Sequence, residues 1–380
     1  MTDRSILDLW PGNALWSSQV VRLAALSYSR GADLTEVVSA VAGIRSGDSD
    51  GWYKAFDDLA NRTRDQSAAL GADHRLSRRD LLWRASMYYR NAGVFLAPSD
   101  PRAIEAAESR RQTFGAAAEA HPEPIEQIEV PFGDTSLPGW FCTGTTSDAG
   151  PRPIVIVVGG TDGVAEEMYF ALGGALVARG YSVLVFDGPG QGEALRRGVL
   201  ARADFEVAIS AAIDFVSERP DVNADRVGLV GHSLGGLYAA RAAASDSRLR
   251  GTVIASAPFD LLANLTGGDS SDTDEAAMGF FVALYSELTG SQSLDESLRK
   301  LADFHLRDAV KNIHTPLLAL YGADDALVAV ADGERILAEA PTTDKTLIVY
   351  PSGSPGSSHC QQDSLPVAQL DLCNWIESHI

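Results

Sequence analysis

The chain has 380 residues, 45% of them hydrophobic, with 51 acidic against 31 basic side chains and a formal net charge of −20. That is enough apolar material for a large core or two domains, and the acidic excess argues against nucleic acid or an anionic membrane as partner. The three cysteines are odd in number and widely spaced, giving neither a disulfide framework nor a metal-ligand spacing, so no metal or cofactor is expected.

No uninterrupted apolar run reaches about 18 residues, and the start of the chain lacks a basic segment leading into an apolar one. The expectation is therefore a cytoplasmic protein with no membrane segment. In chain order, Ser17–Arg30, Leu34–Ile44, Trp52–Leu70 and Arg78–Leu96 carry apolar residues at three- and four-residue spacing, as amphipathic helices do. Ser77 and Asp80 resemble a helix start. Ser99–Ala118 continues the helical pattern, and Pro122 and Pro124 end it. Residues 1–124 are thus expected to form an all-helical domain. Trp10, Trp16, Trp52 and Trp83 are assigned to its core, and its surface is a candidate for homodimerisation.

From Ile125 the texture changes. Ile128–Phe132 and Leu137–Thr143 read as a hairpin joined at Gly133-Asp134. Short apolar strands then alternate with helices. The strands are Ile154–Val158, Ser182–Phe186, Arg226–Val230, Leu249–Ser256, Pro316–Tyr321 and Lys345–Tyr350. The helices are Ala165–Arg179, Asp204–Glu218, Gly235–Ala244, Asp332–Ala340 and Gln362–His379. This predicts an α/β catalytic domain over 125–380, built on a mostly parallel sheet flanked by helices. Pro258–Lys311 interrupts the alternation. It is too long for an ordinary connection and reads as a lid-like insertion with helices at Glu275–Leu288 and Leu294–Phe304. Residues 267–274 read as a polar loop.

The pattern Gly-x-Ser-x-Gly occurs twice. Around Ser49 it lies among acids between helices, with no strand before it, and reads as a loop. Around Ser233 it follows the strand Arg226–Val230 and opens a helix rich in small residues. Only the second has the strand, tight turn and helix that hold a serine in an exposed elbow. Ser233 is accordingly the candidate nucleophile. On the α/β-hydrolase fold the acid and the histidine follow the serine in that order. His359 lies in a Gly/Ser/Pro-rich loop between the last strand and the last helix, and is the candidate base. Asp325 is preferred over Asp324 as the acid, from its register after Gly322 and before Leu327-Val328. Oxyanion donors are expected at the N–H of Leu234 and in the loop Gly159–Gly163, with Thr161 as donor and Gly160 shaping the turn. Gly188-Pro189-Gly190-Gln191-Gly192 also follows a strand. Its proline and spacing argue against a phosphate cradle, and it is read as part of the active-site rim.

Taken together, the helical domain, the string Phe186-Asp187-Gly188-Pro189-Gly190-Gln191-Gly192-Glu193, the elbow at Ser233 and Ser358-His359-Cys360 resemble one branch of the α/β-hydrolases. That branch contains dihydroxypseudooxynicotine hydrolase, fermentation/respiration-type esterases and fungal polyketide-shortening hydrolases. The resemblance implies a Ser233–Asp325–His359 triad and cleavage of an acyl or carbon–carbon bond beside a ketone in a small-molecule substrate, with the helical domain walling the pocket. Two features depart from the pattern: the insertion does not match, and Gly159 stands where many hydrolases place histidine. Asp260 and Glu287, between which the sequence does not choose, are offered as substrate-binding candidates; Tyr88 either lines the pocket with them or merely packs, and packing is the simpler reading. Elimination, such as loss of acetate, or acyl transfer by the same Ser/His pair stays open. A non-catalytic binding protein would be expected to have a broken triad, whereas all three positions are filled.

Overall fold

The computed structural model describes residues 9–10, 13–146, 150–266 and 275–380. The chain divides into two compact units, one of residues 1–124 with 269–287 and one of 125–268 with 288–380. The expectation that 258–311 stays with the catalytic domain as a single insertion is corrected here. The helix Glu275–Leu288 clusters, up to Glu287, with the helical unit. The polar-loop reading of 267–274 lies outside the described residues.

In the helical unit the chain forms Ala14–Ala25, Leu34–Val41, Ser49–Ala69, Arg75–Ala92 and Pro101–Ala118 before the helix just named. Acid and amide side chains start four of them. Asn13, Asp33, Asp48 and Asp100 each accept a bond from a backbone N–H in the first turn, satisfying donors that have no partner inside a helix. The helix expected to begin at Ser77 begins at Arg75 and has no side-chain cap. Aromatic packing forms the interior. Trp52 and Phe56 are fully buried, Trp16 stacks on Phe95 at 4.4 Å, and the Trp52 indole donates to the Asn91 carbonyl at 2.8 Å. Trp83 is buried as well.

The second unit is an eight-stranded sheet in the order β1-β2-β4-β3-β5-β6-β7-β8. The strands are β1 (Ile125–Phe132), β2 (Thr135–Cys142), β3 (Arg152–Val158), β4 (Ser182–Phe186), β5 (Val222–His232), β6 (Leu249–Ala255), β7 (Leu317–Gly322) and β8 (Lys345–Tyr350). β1 and β2 form the expected hairpin, with Phe132 opposite Thr135, and β2 joins β4 antiparallel. All later pairings are parallel. β4 is buried along its length, as a strand covered on both faces must be, which is why its sequence is a continuous apolar run. The helical stretch after β3 is broken at Tyr169–Gly173 by a π turn, an inserted residue that the apolar spacing did not reveal. Among the described residues no helix is long and apolar enough to cross a membrane.

Candidate active site

The topology determines where chemistry can gather. β4 lies on one side of β3 and β5 on the other, so the connections leaving β3 and β5 diverge. Such a switch point leaves a crevice beyond the carboxyl ends of the strands. Val158 at the end of β3 pairs with Gly231 near the end of β5, which sets the loop Gly159–Gly163 against the turn carrying Ser233.

Ser233 has φ 59° and ψ −125°, a backbone conformation that costs a non-glycine residue about 1–3 kcal/mol and persists only where the surroundings enforce it. Here they do. The Ser233 N–H donates to the Ala255 carbonyl at 2.8 Å, and the Ser233 carbonyl accepts from Gly236 N–H at 2.7 Å. The helix Leu234–Ser245 starts at the next residue, so Ser233 sits at its positive end. Strand and helix approach too closely for side chains: a Cβ on Gly231 would lie 2.1 Å from the Gly235 carbonyl oxygen, and one on Gly235 2.4 Å from that of Val158. Gly160 is equally confined, since a Cβ there would come within 2.8 Å of the Ser233 Cβ.

His359 Nε2 is 2.9 Å from Ser233 Oγ, and its Nδ1 is 2.8 and 3.0 Å from the two oxygens of Asp325. Asp325 Oδ1 also accepts from the N–H groups of Leu327 and Val328, both at 2.9 Å. Asp324 does something else: it ties the following loop, accepting from Ser352 Oγ at 2.5 Å and Gly353 N–H at 2.8 Å. The His359 loop is pinned on both sides. Asp363 accepts from the N–H groups of Gly356 and Ser358 and from the Ser358 hydroxyl, while Cys360 N–H donates to Ser256 Oγ at 2.9 Å.

The electrostatics follow from burial opposed by pairing. Burial disfavours the Asp325 carboxylate, but His359 and the two backbone donors outweigh it and hold the acid below its ordinary range. Burial likewise disfavours charged His359, yet Cys360 and Asp325 push it up to about 10. Cys360 Sγ lies 3.5 Å from His359 Nε2. Burial raises this thiol, and His232 and His359 more than reverse that, drawing it down to about 6. Among the described residues no group of three or more His, Cys, Asp or Glu side chains could hold a metal ion.

The other candidates have partners of their own. Tyr88 is fully buried in the helical unit; its hydroxyl donates to Glu36 Oε2 at 2.5 Å and accepts from Asp33 N–H at 2.9 Å. Glu287, in the same unit, accepts from the N–H and the hydroxyl of Ser99 at 3.2 and 3.3 Å. Asp260 caps the helix Leu261–Thr266 through Ala263 N–H and pairs with Arg307 at 2.6 Å. All three are engaged in packing, capping or tethering bonds within their own units. Leu234 and Thr161 follow Ser233 and Gly160 directly in the chain, at the start of the helix and in the loop facing it. Sequence reasoning places Gln191 only on the rim, without its bonds to the Gly159 and Gly160 carbonyls, and gives no role to Ser256, Cys360 or Asp363. Of these, Gln191 and Cys360 lie in the two strings that carry the family resemblance, whereas Ser256 and Asp363 have no signal in the sequence.

A strained serine at a strand–helix elbow, a histidine and a buried acid on a mostly parallel sheet define an enzyme of the α/β-hydrolase fold. The chain belongs to the FrsA-like esterase family, which it matches over residues 16–378. It is similar to alpha/beta hydrolase gkaG of Penicillium citrinum, 30% identical over 250 residues, covering 63% of this chain and 58% of that one. It is also similar to 20-hydroxy-prefusarin hydrolase FUS2 of Gibberella moniliformis, 32% identical over 259 residues, covering 64% and 60%. These matches span about three fifths of the curated relatives' own length. Among solved structures, 2,6-dihydroxy-pseudo-oxynicotine hydrolase shares the fold with a TM-score of 0.80 at 23% identity, covering 94% of this chain and 95% of that one.

Proposed function

We propose that the enzyme is a serine hydrolase that cleaves an ester, or a carbon–carbon bond beside a ketone, in a mid-sized organic metabolite. The observation that carries this reading is the continuous line from Ser233 Oγ through both nitrogens of His359 to Asp325. Ser233 Oγ attacks the carbonyl carbon while His359 Nε2 takes its proton, and Asp325 holds the imidazole tautomer and stabilises the imidazolium. The carbonyl oxygen becomes an oxyanion facing the N–H groups of Leu234 and Thr161. Collapse breaks the bond to the leaving group. His359 returns the proton to the departing oxygen, or to the departing enolate carbon, leaving an acyl group on Ser233. Water, deprotonated by His359, then releases the acid and restores the serine. The relative FUS2 is named 20-hydroxy-prefusarin hydrolase, which supports hydrolysis of an organic metabolite. The three buried free thiols support a reducing, cytoplasmic setting.

Intact-mass measurement after fluorophosphonate treatment tests the mechanism. A single adduct on the wild type that is lost in Ser233→Ala is expected; equal labelling of both proteins would sink it. With an active substrate in ¹⁸O-water, the released acid should carry the label. An unlabelled acid would replace hydrolysis with elimination.

A further inference from the structure

We infer that Gln191 is a positioning residue for the oxyanion loop: its side-chain amide sets the direction in which the N–H groups of Gly160 and Thr161 point. The inference rests on Ser233 being the nucleophile. Gln191 is buried, and its Nε2 donates to the carbonyls of Gly159 at 2.6 Å and Gly160 at 3.1 Å. A peptide unit is a rigid plane in which the carbonyl of one residue and the N–H of the next point in opposite directions. Fixing the Gly159 carbonyl therefore aims Gly160 N–H the other way, and fixing the Gly160 carbonyl does the same for Thr161 N–H. The face of the loop opposite the amide is thereby given its donors, and Gly160 itself abuts Ser233.

The amide has only one workable orientation. Its Oε1 accepts from Gly188 N–H at 3.1 Å, and a flip would turn that oxygen toward two carbonyls. Gly163 N–H adds a second bond to the Gly160 carbonyl at 3.2 Å but leaves that of Gly159 to Gln191. Asp187 reinforces the same junction from the far end of the loop. Its two oxygens accept from Ala165 N–H and Glu193 N–H, each at 2.8 Å, linking the helix after the oxyanion loop to the turn that carries Gln191. The glycine-rich string after β4 thus acts as a brace behind the loop.

The test uses Gln191→Met, of similar length with no donor, and Gln191→Glu, with an acceptor in place of the donor. Fluorophosphonate labelling of the full chain is followed over reagent concentration to separate the maximal labelling rate from the apparent affinity, with melting curves confirming the fold. The expected result is a fall of about 10²-fold in the maximal rate, comparable to losing one oxyanion donor, with the affinity within about threefold. A merely structural role would lower the melting temperature or weaken affinity and leave the maximal rate in place. Folded variants that label at the wild-type rate would overturn the brace alone. A folded wild type that is not labelled at Ser233 would overturn the nucleophile, and the brace with it.

Discussion

The same five-residue pattern occurs once in each unit, and the two copies fold into different things. In the helical unit, Gly47-Asp48-Ser49-Asp50-Gly51 opens a helix: Asp48 accepts from Gly51 N–H at 2.9 Å, and Ser49 is the first helical residue. In the sheet unit, Gly231-His232-Ser233-Leu234-Gly235 joins β5 to a helix so tightly that the serine is forced to positive φ. What separates them is not the pattern but what precedes it. A turn among acids lets the chain start a helix with ordinary capping, while a buried strand anchored by its neighbours leaves the serine no relaxed conformation.

The sharpest way to break this contrast is to remove each serine. Ser233→Ala should abolish labelling and lower turnover by about 10⁶-fold. Ser49→Ala should leave both unchanged and shift stability by less than about 0.5 kcal/mol in a denaturant titration. The two neighbouring acids provide a second contrast. Asp325→Asn should lower kcat by about 10⁴-fold, because the imidazole loses its tautomer, whereas Asp324→Asn loosens only the loop it ties and should stay within a few-fold. Third, Gly160→Ala should slow labelling by about 10²-fold, since the new Cβ displaces the loop from Ser233. On the other side, Asp48→Ala should cost about 1 kcal/mol of stability with no change in labelling rate, the signature of a lost cap.

The smallest expected effect is a shift in pH dependence. Only neutral His359 can accept the Ser233 proton, so the labelling rate should rise with pH as His359 titrates. Cys360→Ser removes the acidic thiol that helps keep His359 protonated, and should move that rising limb to lower pH. Stability runs the opposite way. A histidine raised from 6.5 to about 10 stabilises the fold fully below 6.5 and loses that contribution as pH climbs through about 10. The melting-temperature advantage of the wild type over His359→Gln should therefore shrink across that interval. An advantage that grows with pH would contradict the assignment.

Most of the sheet unit was legible because its signals are local. Alternating apolar runs and helical spacing mark β3 to β8, Gly133-Asp134 marks the hairpin, and chain order distinguishes His359 from the other histidines. The rest depends on partners remote in sequence. Tyr88 meets Glu36 across 52 residues, and Glu287 meets Ser99 across 188, so nothing beside either residue reveals that it is engaged. Asp260, offered for substrate, meets Arg307 across 47. The composition of the string around Gln191 places it on a rim and says nothing of its partners. Its two bonds to the oxyanion loop arise only once β3 and β4 are paired.

The helix Glu275–Leu288 belongs, up to Glu287, to a unit whose first segment ends at Pro124. During synthesis residues 1–124 are made well before that helix exists, and by the time it emerges all of β1 to β6 has been made. The N-terminal unit is therefore finished late, and its maturation is coupled to that of the chain between. A fragment stopped at Pro124 lacks one of the unit's own helices, and should be more readily cleaved by protease than the same residues in the full chain.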